Sequence, residues 1–257
     1  MVFPGMEYLP LYLLVFIFGL VMGSFLNVVA YRVPRGTSVA EGRSRCPACN
    51  HTLSWKDLIP VLSFLFLQGR CRYCGARISR TYPLTEAAMG IMALGIVLLK
   101  GIFPEALLLF ALGFVLTAIA LIDFRTMTIP DGLILWILPL AAGQALLSGD
   151  WDLAGRVIGA LIISLPMYLS LYVVEDAFGG GDIKLFAALG LFLGWQKILL
   201  TLFLASVSAA LIGLAAARAK GQKAAGKEIP FGPFIAAGAF VSALFGDWLL
   251  AWYFSLF

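Results

Sequence analysis

Apolar runs of span length alternate with short polar breaks along almost the whole chain. Eight such runs can be marked, at about 9–31, 84–103, 105–122, 132–148, 157–174, 183–195, 198–217 and 231–255. A helix crossing a bilayer needs roughly 20 largely apolar residues, so the pattern predicts an all-α polytopic membrane protein with about eight transmembrane segments. The run at 183–195 is short for a crossing. It reads as tilted, as partly inserted, or as fused to the next run around Trp195-Gln196-Lys197. The first run resembles a secretory signal only superficially. It is too long for a signal core and no basic region precedes it, so it reads as the first span. The one extended polar stretch follows it. The expected organisation is therefore a first span at 1–31, a loop at 32–83 and a multi-span core at 84–257.

Composition agrees with the pattern. The 257 residues are 61% hydrophobic and 12% charged, with mean hydropathy +0.97. No soluble domain of this length needs so much apolar surface. The net charge of +4 is modest, but its distribution is lopsided. With the N-terminus outside, 15 of the 18 Lys and Arg fall on the inner side and only Lys100, Arg156 and Lys197 on the outer. The positive-inside rule then puts the 32–80 loop, Asp123 and Asp182 on the cytoplasmic face. Membrane lipid is the expected surrounding, and nucleic acid is not an expected partner.

All four cysteines lie in that loop, as Cys46-Pro47-Ala48-Cys49 and Cys71-Arg72-Tyr73-Cys74-Gly75. Two C-x-x-C pairs at this separation predict one tetrahedral metal site, with zinc as the ion. Gly75 suits the tight turn after the second pair. Two disulfides or redox chemistry are the alternatives, and a reducing cytoplasm argues against the disulfides. Four protein ligands leave zinc no open position, so the ion would organise the loop without attacking a substrate. The lone histidine, His51, reads as a surface residue beside four thiolates. Leu58 to Leu67 is an apolar patch that lies on the membrane surface, re-enters the membrane, or forms a small core of the metal-bound loop.

Asp123 and Asp182 stand where apolar helices meet polar breaks, and a carboxylate at the edge of a span is costly and functional by default. Asp182 follows Gly179, Gly180 and Gly181. It reads either as an N-cap or as a reactive group on a loop whose glycines permit positive φ and close approach of an extended peptide. Asp123 ends a helix, where its charge opposes the macrodipole. A salt bridge to Arg125 is its bland explanation. Asp131, after Pro130, reads as an N-cap. Two close carboxylates that share one proton can activate water and polarise a carbonyl.

The order of motifs resembles the bacterial prepilin peptidases, the bifunctional type IV leader peptidase/N-methyltransferases of the GxGD type. Gly23-Ser24-Phe25-Leu26-Asn27 and Tyr31-Arg32-Val33-Pro34 look like the family's opening. The two Cys pairs follow, then Tyr82-Pro83-Leu84-Thr85-Glu86. Ile122-Asp123 with Ile129-Pro130-Asp131 resembles the first aspartate region, and Gly179-Gly180-Gly181-Asp182 the G-x-G-D signature. Pro230-Phe231-Gly232-Pro233 resembles the late Pro-Phe-Gly-Pro element. The resemblance implies an intramembrane aspartyl peptidase in the bacterial inner membrane, with Asp123 and Asp182 as the catalytic pair facing the cytoplasm. Its substrates would be prepilins or type II secretion pseudopilins. S-adenosylmethionine would serve as methyl donor for the new N-terminus.

No Rossmann glycine fingerprint is present, so the donor site is of another kind. Glu86 is the candidate cofactor-binding residue. Asn27 reads as an interhelical hydrogen-bonding group. Glu175, Asp176 and Asp182 form an acidic island suited to a basic leader. Two other readings stay open from sequence: a zinc-stabilised membrane scaffold, and a proton- or cation-coupled transporter using Asp123 and Asp182.

Overall fold

The structure is a computed structural model, and it describes residues 8–149, 152–174, 178–220 and 229–256. Among these residues the ordered elements are helical apart from two isolated bridges in the cysteine loop. Helices α1 (Leu9–Arg32), α2 (Leu62–Phe66), α3 (Thr81–Lys100), α4 (Pro104–Thr126), α5 (Asp131–Ser148), α6 (Leu153–Ser170), α7 (Gly180–Leu193), α8 (Trp195–Lys220) and α9 (Gly232–Phe254) follow in order. Seven of them are long and apolar enough to cross a membrane. The exceptions are the five-residue α2 and the 14-residue α7. The chain divides into two compact units, Met1–Ala106 and Leu107–Phe257.

In the first unit α1 lies against α3, and small residues set the contact. A Cβ on Gly19 would stand 2.5 Å from the Met89 carbonyl oxygen, and one on Gly23 would stand 2.6 Å from Glu86 Cα. Gly19 and Gly23 are four apart, so one glycine face of α1 admits the α3 backbone directly, as small-residue helix contacts in membranes do. Asn27 completes the contact. Its Nδ2 donates to the Tyr82 carbonyl at 3.3 Å, and its Oδ1 accepts from the Thr85 hydroxyl at 2.8 Å. The interhelical role read from the sequence is the observed one.

In the second unit the same device joins α6 to α7. Gly159 and Gly190 face each other so closely that a Cβ on Gly190 would stand 2.2 Å from the Gly159 carbonyl oxygen. A Cβ on Gly159 would also meet Gly194 and Trp195, so the C-terminal end of α7 lies at the N-terminal end of α6 and the two run antiparallel. The short apolar run is thus a separate helix. Gly194, at φ +78°, breaks the chain before α8 begins at Trp195, so α7 does not fuse with α8. Its 14 residues extend about 21 Å, less than the ~30 Å hydrocarbon core. From the Gly159–Gly190 contact, Asp182 lies about 12 Å along α7 and Ser170 about 17 Å along α6. Asp182 is therefore recessed by roughly one helical turn from the end of α6.

The loop between α1 and α3 folds as two matching knuckles. Cys46 N–H donates to the His51 carbonyl and Asn50 N–H to the Cys46 carbonyl; Cys71 N–H donates to the Ala76 carbonyl and Gly75 N–H to the Cys71 carbonyl. A bridge closes each knuckle, Arg45 to Thr52 and Arg70 to Arg77. Each turns on a residue at positive φ, Asn50 at +60° and Gly75 at +71°. Gly75 does what its sequence position indicates, and Asn is the next best residue for the same conformation. Asp57 ties the second knuckle to the segment between the two. Its side chain, only 4% exposed, accepts from Arg72 Nε at 2.7 Å, the Ser54 hydroxyl at 2.7 Å and the Tyr73 hydroxyl at 3.0 Å. Burial alone would raise that carboxyl, but these donors hold it well below the usual carboxylate range. The apolar patch is exposed at Leu62, Leu65 and Phe66. Those three side chains do not form a loop core.

Candidate active site and metal centre

Asp123 lies three residues before the end of α4 and is 5% exposed. Among the described residues it makes no salt bridge to Arg125. Its Oδ2 instead accepts the backbone N–H of Gly232 at 2.9 Å. Gly232 is the first residue of α9. That N–H is one of the orphan donors of a helix start, and the positive end of the macrodipole favours an anion there. The Asp123 charge, unfavourable for the end of α4, thus meets the favourable end of another helix. Only glycine permits the approach, since a Cβ would stand 2.7 Å from Asp123 Oδ2 and 3.0 Å from its Cγ. Gly232 is the functional residue that sequence reasoning left without a role. Its signal was present in Pro230-Phe231-Gly232-Pro233, where Pro233 has no N–H to offer and Gly232 does.

Asp182 occupies the first turn of α7 but does not cap it. Gly179 is the N-cap, and the Asp182 backbone N–H donates to the Gly179 carbonyl at 3.0 Å. With its side chain free of a capping bond, Asp182 is half-buried and within electrostatic reach of Asp123. Three further contacts bring the surrounding helix ends together. Phe231 lies against Phe186 of α7, with ring centroids 6.5 Å apart. Gly181 approaches the segment before α5, where its Cβ would stand 2.9 Å from Ile129 Cβ. Lys184 of α7 pairs with Asp131 of α5 at 2.8 Å. The ends of α4, α5, α7 and α9 thus assemble around the two carboxylates.

Two expectations are corrected. None of Gly179, Gly180 and Gly181 takes positive φ. Their use is space: Gly181 admits Ile129, and Gly180 has nothing within 4 Å of where a Cβ would be. Asp131 is not an N-cap either. Pro130, extended at φ −68° and ψ 125°, is the cap residue, which makes Asp131 the first helical position and turns its side chain to Lys184. Glu175 and Asp176 lie outside the described residues, as do Lys223 and Lys227.

The four cysteines converge. Their sulfurs all lie within 4.8 Å of one another, with Cys46 and Cys71 buried and Cys49 and Cys74 exposed. Such a cluster can hold a metal ion. The sulfurs also pull one another's titrations apart. The Cys49 backbone N–H leads in drawing Cys46 down to about 7, while Cys74, in spite of the Ala76 N–H, is pushed up to about 12 by burial and its sulfur neighbours. A dication relieves that conflict, because it makes all four thiolates favourable together. His51 is exposed and stacks on Tyr73, with centroids 3.7 Å apart, and takes no part in the cluster. Glu86 is 8% exposed on α3, and its Oε2 accepts the Val61 N–H at 2.7 Å. Val61 sits at φ +61°, a strained conformation for a β-branched residue, and Glu86 pins it there.

Fold and site together define a multi-pass helical membrane protein with a carboxylate pair built at helix ends and a four-thiol cluster in a polar loop. Residues 17–99 match the bacterial peptidase A24 N-terminal domain, and residues 109–214 match the type IV leader peptidase family. The chain is 35% identical over 240 residues to the prepilin leader peptidase/N-methyltransferase of Bacillus subtilis (strain 168), covering 93% of this chain and 96% of that protein. It is 35% identical over 276 residues to the protein of that name from Aeromonas hydrophila, covering 95% and 94%. The Klebsiella pneumoniae protein of that name is 42% identical over 216 residues, covering 76% and 90%. No solved structure matches the chain. The chain belongs to the type IV leader peptidase family.

Proposed function

We propose that this protein is a prepilin leader peptidase with N-methyltransferase activity, in which Asp123 and Asp182 are the catalytic pair of a peptidase core spanning 84–257. The observation that carries the reading is the buried Asp123 carboxylate, held by the Gly232 N–H and electrostatically coupled to Asp182. Two carboxylates that interact at such a site share one proton. The ionised one takes a proton from water as the water oxygen attacks the scissile carbonyl. The protonated one donates to the carbonyl oxygen. Collapse breaks the C–N bond, and the departing amine takes up a proton. Gly180 has open space where a Cβ would be, and the Gly179–Gly181 loop beside Asp182 is where an extended substrate backbone would lie.

The substrates are prepilins or type II secretion pseudopilins, whose basic leaders suit an acidic site. The protein sits in the bacterial inner membrane with its active site and cysteine loop toward the cytoplasm, as the Lys and Arg asymmetry supports. The ion held by Cys46, Cys49, Cys71 and Cys74 is structural zinc. S-adenosylmethionine is the methyl donor, with Glu86 among its binding residues. Purified protein incubated with a prepilin and the donor should release the leader and add one methyl to the new N-terminus, read by mass spectrometry. An uncut substrate under these conditions would overturn the reading in favour of a scaffold or a transporter. Periplasmic reagents should fail to label a cysteine introduced beside Arg43 in intact cells; ready labelling would reverse the orientation.

A further inference from the structure

Arg156 is the only charged residue of α6. It stands fourth in the helix, close to an N-terminus whose positive macrodipole end disfavours a cation. Its guanidinium is directed at another helix. Nη1 donates to the carbonyl oxygens of Leu191 at 3.0 Å and Phe192 at 3.2 Å, both in the last turn of α7. The Gly194 N–H takes the Gly190 carbonyl, and beyond that bond a helix end leaves its carbonyls without intrahelical partners. Gly194 alone separates α7 from α8, so there is no loop to supply donors. Unpaired carbonyls among membrane spans are costly. Arg156 satisfies two of them, and its charge meets the negative end of the α7 macrodipole. The arrangement mirrors Asp123, whose charge also opposes its own helix and meets the favourable end of another.

The two ends of α7 are held unequally. At the Asp182 end the N-cap is Gly179, which makes no side-chain capping bond, and the Lys184–Asp131 pair is exposed. At the other end Arg156 is half-buried, and Gly190 packs on Gly159 about one turn further along α6. The two Arg156 bonds run across to α6, so they resist sliding of α7 along it. α7 is one unbroken helix from Gly180 to Leu193. A shift at its anchored end therefore reaches Asp182, about 14–15 Å away along the axis, at nearly full size.

We propose that Arg156 is a positioning residue of the peptidase, fixing the axial height of α7 and with it the reach of Asp182 toward Asp123. The proposal rests on the reading of Asp182 as one of the catalytic pair, and it names what sets that residue's place. Arg156 itself touches no reacting atom.

The test is steady-state cleavage of a prepilin by the full-length protein in detergent, with Arg156→Met, Arg156→Lys and Asp182→Asn measured side by side. Arg156→Met keeps an apolar stem and has no donor. Its kcat should fall at least about tenfold, since a misplacement of about 1 Å can cost ~10²-fold, while KM for the prepilin changes less than about threefold. Arg156→Lys, whose ammonium can donate to both carbonyls, should recover most of the lost kcat. Melting curves of the same samples give the folded fraction. A kcat loss no larger than the loss of folded protein, or one that Arg156→Lys does not relieve, would make Arg156 a stabilising residue only and overturn the proposal. Wild-type kcat in Arg156→Met would do the same. If Arg156→Met does not fold, Arg156→Gln, which keeps an N–H donor without the charge, carries the same comparison with Arg156→Lys. Normal cleavage by Asp182→Asn would remove the catalytic pair and this proposal with it. A dead Asp182→Asn beside an unimpaired Arg156→Met would remove the positioning role alone.

Discussion

The two units carry their polar chemistry in opposite ways. The cysteine centre is local: each C-x-x-C pair folds its own knuckle, closed by its own backbone bonds, and the two knuckles then meet. The carboxylate centre has no local structure at all. Asp123 is held by a backbone group 109 residues away, and Asp182 comes from a third helix. A local centre depends on ligand count and turn geometry. An assembled centre depends on how closely helices approach, which glycine contacts set. The first should therefore fail when a ligand is removed, and the second when a helix contact is widened.

The largest effect should come from the carboxylates themselves. Asp123→Asn and Asp182→Asn should each lower leader cleavage by about 10²–10⁴-fold or more, since each removes one half of the proposed acid–base pair. Methylation of a substrate supplied already cleaved should persist in both, read by mass spectrometry. Full cleavage by either variant would sink the dyad. Gly232→Ala tests the assembly, because its Cβ would press on Asp123 Oδ2. Displacing that carboxylate by an ångström should cost about 10²-fold in cleavage without unfolding the protein.

Next comes the α6–α7 contact. Gly190→Ala would drive a Cβ into the Gly159 carbonyl, where only backbone movement can give way. It should destabilise the protein by about 1–3 kcal/mol, as overpacking does, seen as a lower unfolding temperature in detergent. Because α7 carries Asp182, cleavage should fall with it. An unchanged melting temperature would mean that this contact does not set the position of α7.

How much of this was visible in the sequence follows the same division. The knuckles could be read from Cys spacing and Gly75, because a local motif contains its own geometry. The spans could be read from apolar run length, and the break before Trp195 was the uncertain point because Gly194 alone makes it. The partner of Asp123 could not be read. A carboxylate at the end of α4 and a glycine at the start of α9 are each visible, but nothing in one sequence pairs them across 109 residues. Asp131 was misread for a related reason. Asp after Pro is a good capping pattern, yet extended Pro130 takes the boundary, and Lys184 arrives from another helix.

Removing a ligand from the local centre should have a narrower effect. Cys46→Ser or Cys71→Ser should lower the metal content from about one zinc per chain and expose the 32–83 loop to protease, while circular dichroism shows the spans still helical. Cleavage should fall only in part. Methyl transfer should fall more, because both residues line the same cavity as Glu86. Full metal occupancy in both variants would dismiss the site.

The smallest effect should be at Asp131, and it sharpens the comparison most. Asp131 is eight residues from Asp123 and shares its helix-end neighbourhood, but its side chain is 64% exposed and its partner Lys184 is 59% exposed. An exposed pair of this kind is worth less than about 1 kcal/mol, and salt should screen most of that. Asp131→Asn should therefore cleave prepilin nearly as well as the wild type and melt at nearly the same temperature. The contrast with Asp123→Asn isolates burial and the Gly232 contact as what separates a working carboxylate from a surface one. If Asp131→Asn were dead and Asp123→Asn active, the catalytic pair would be Asp131 and Asp182, and the Gly232 N–H would be holding a structural carboxylate.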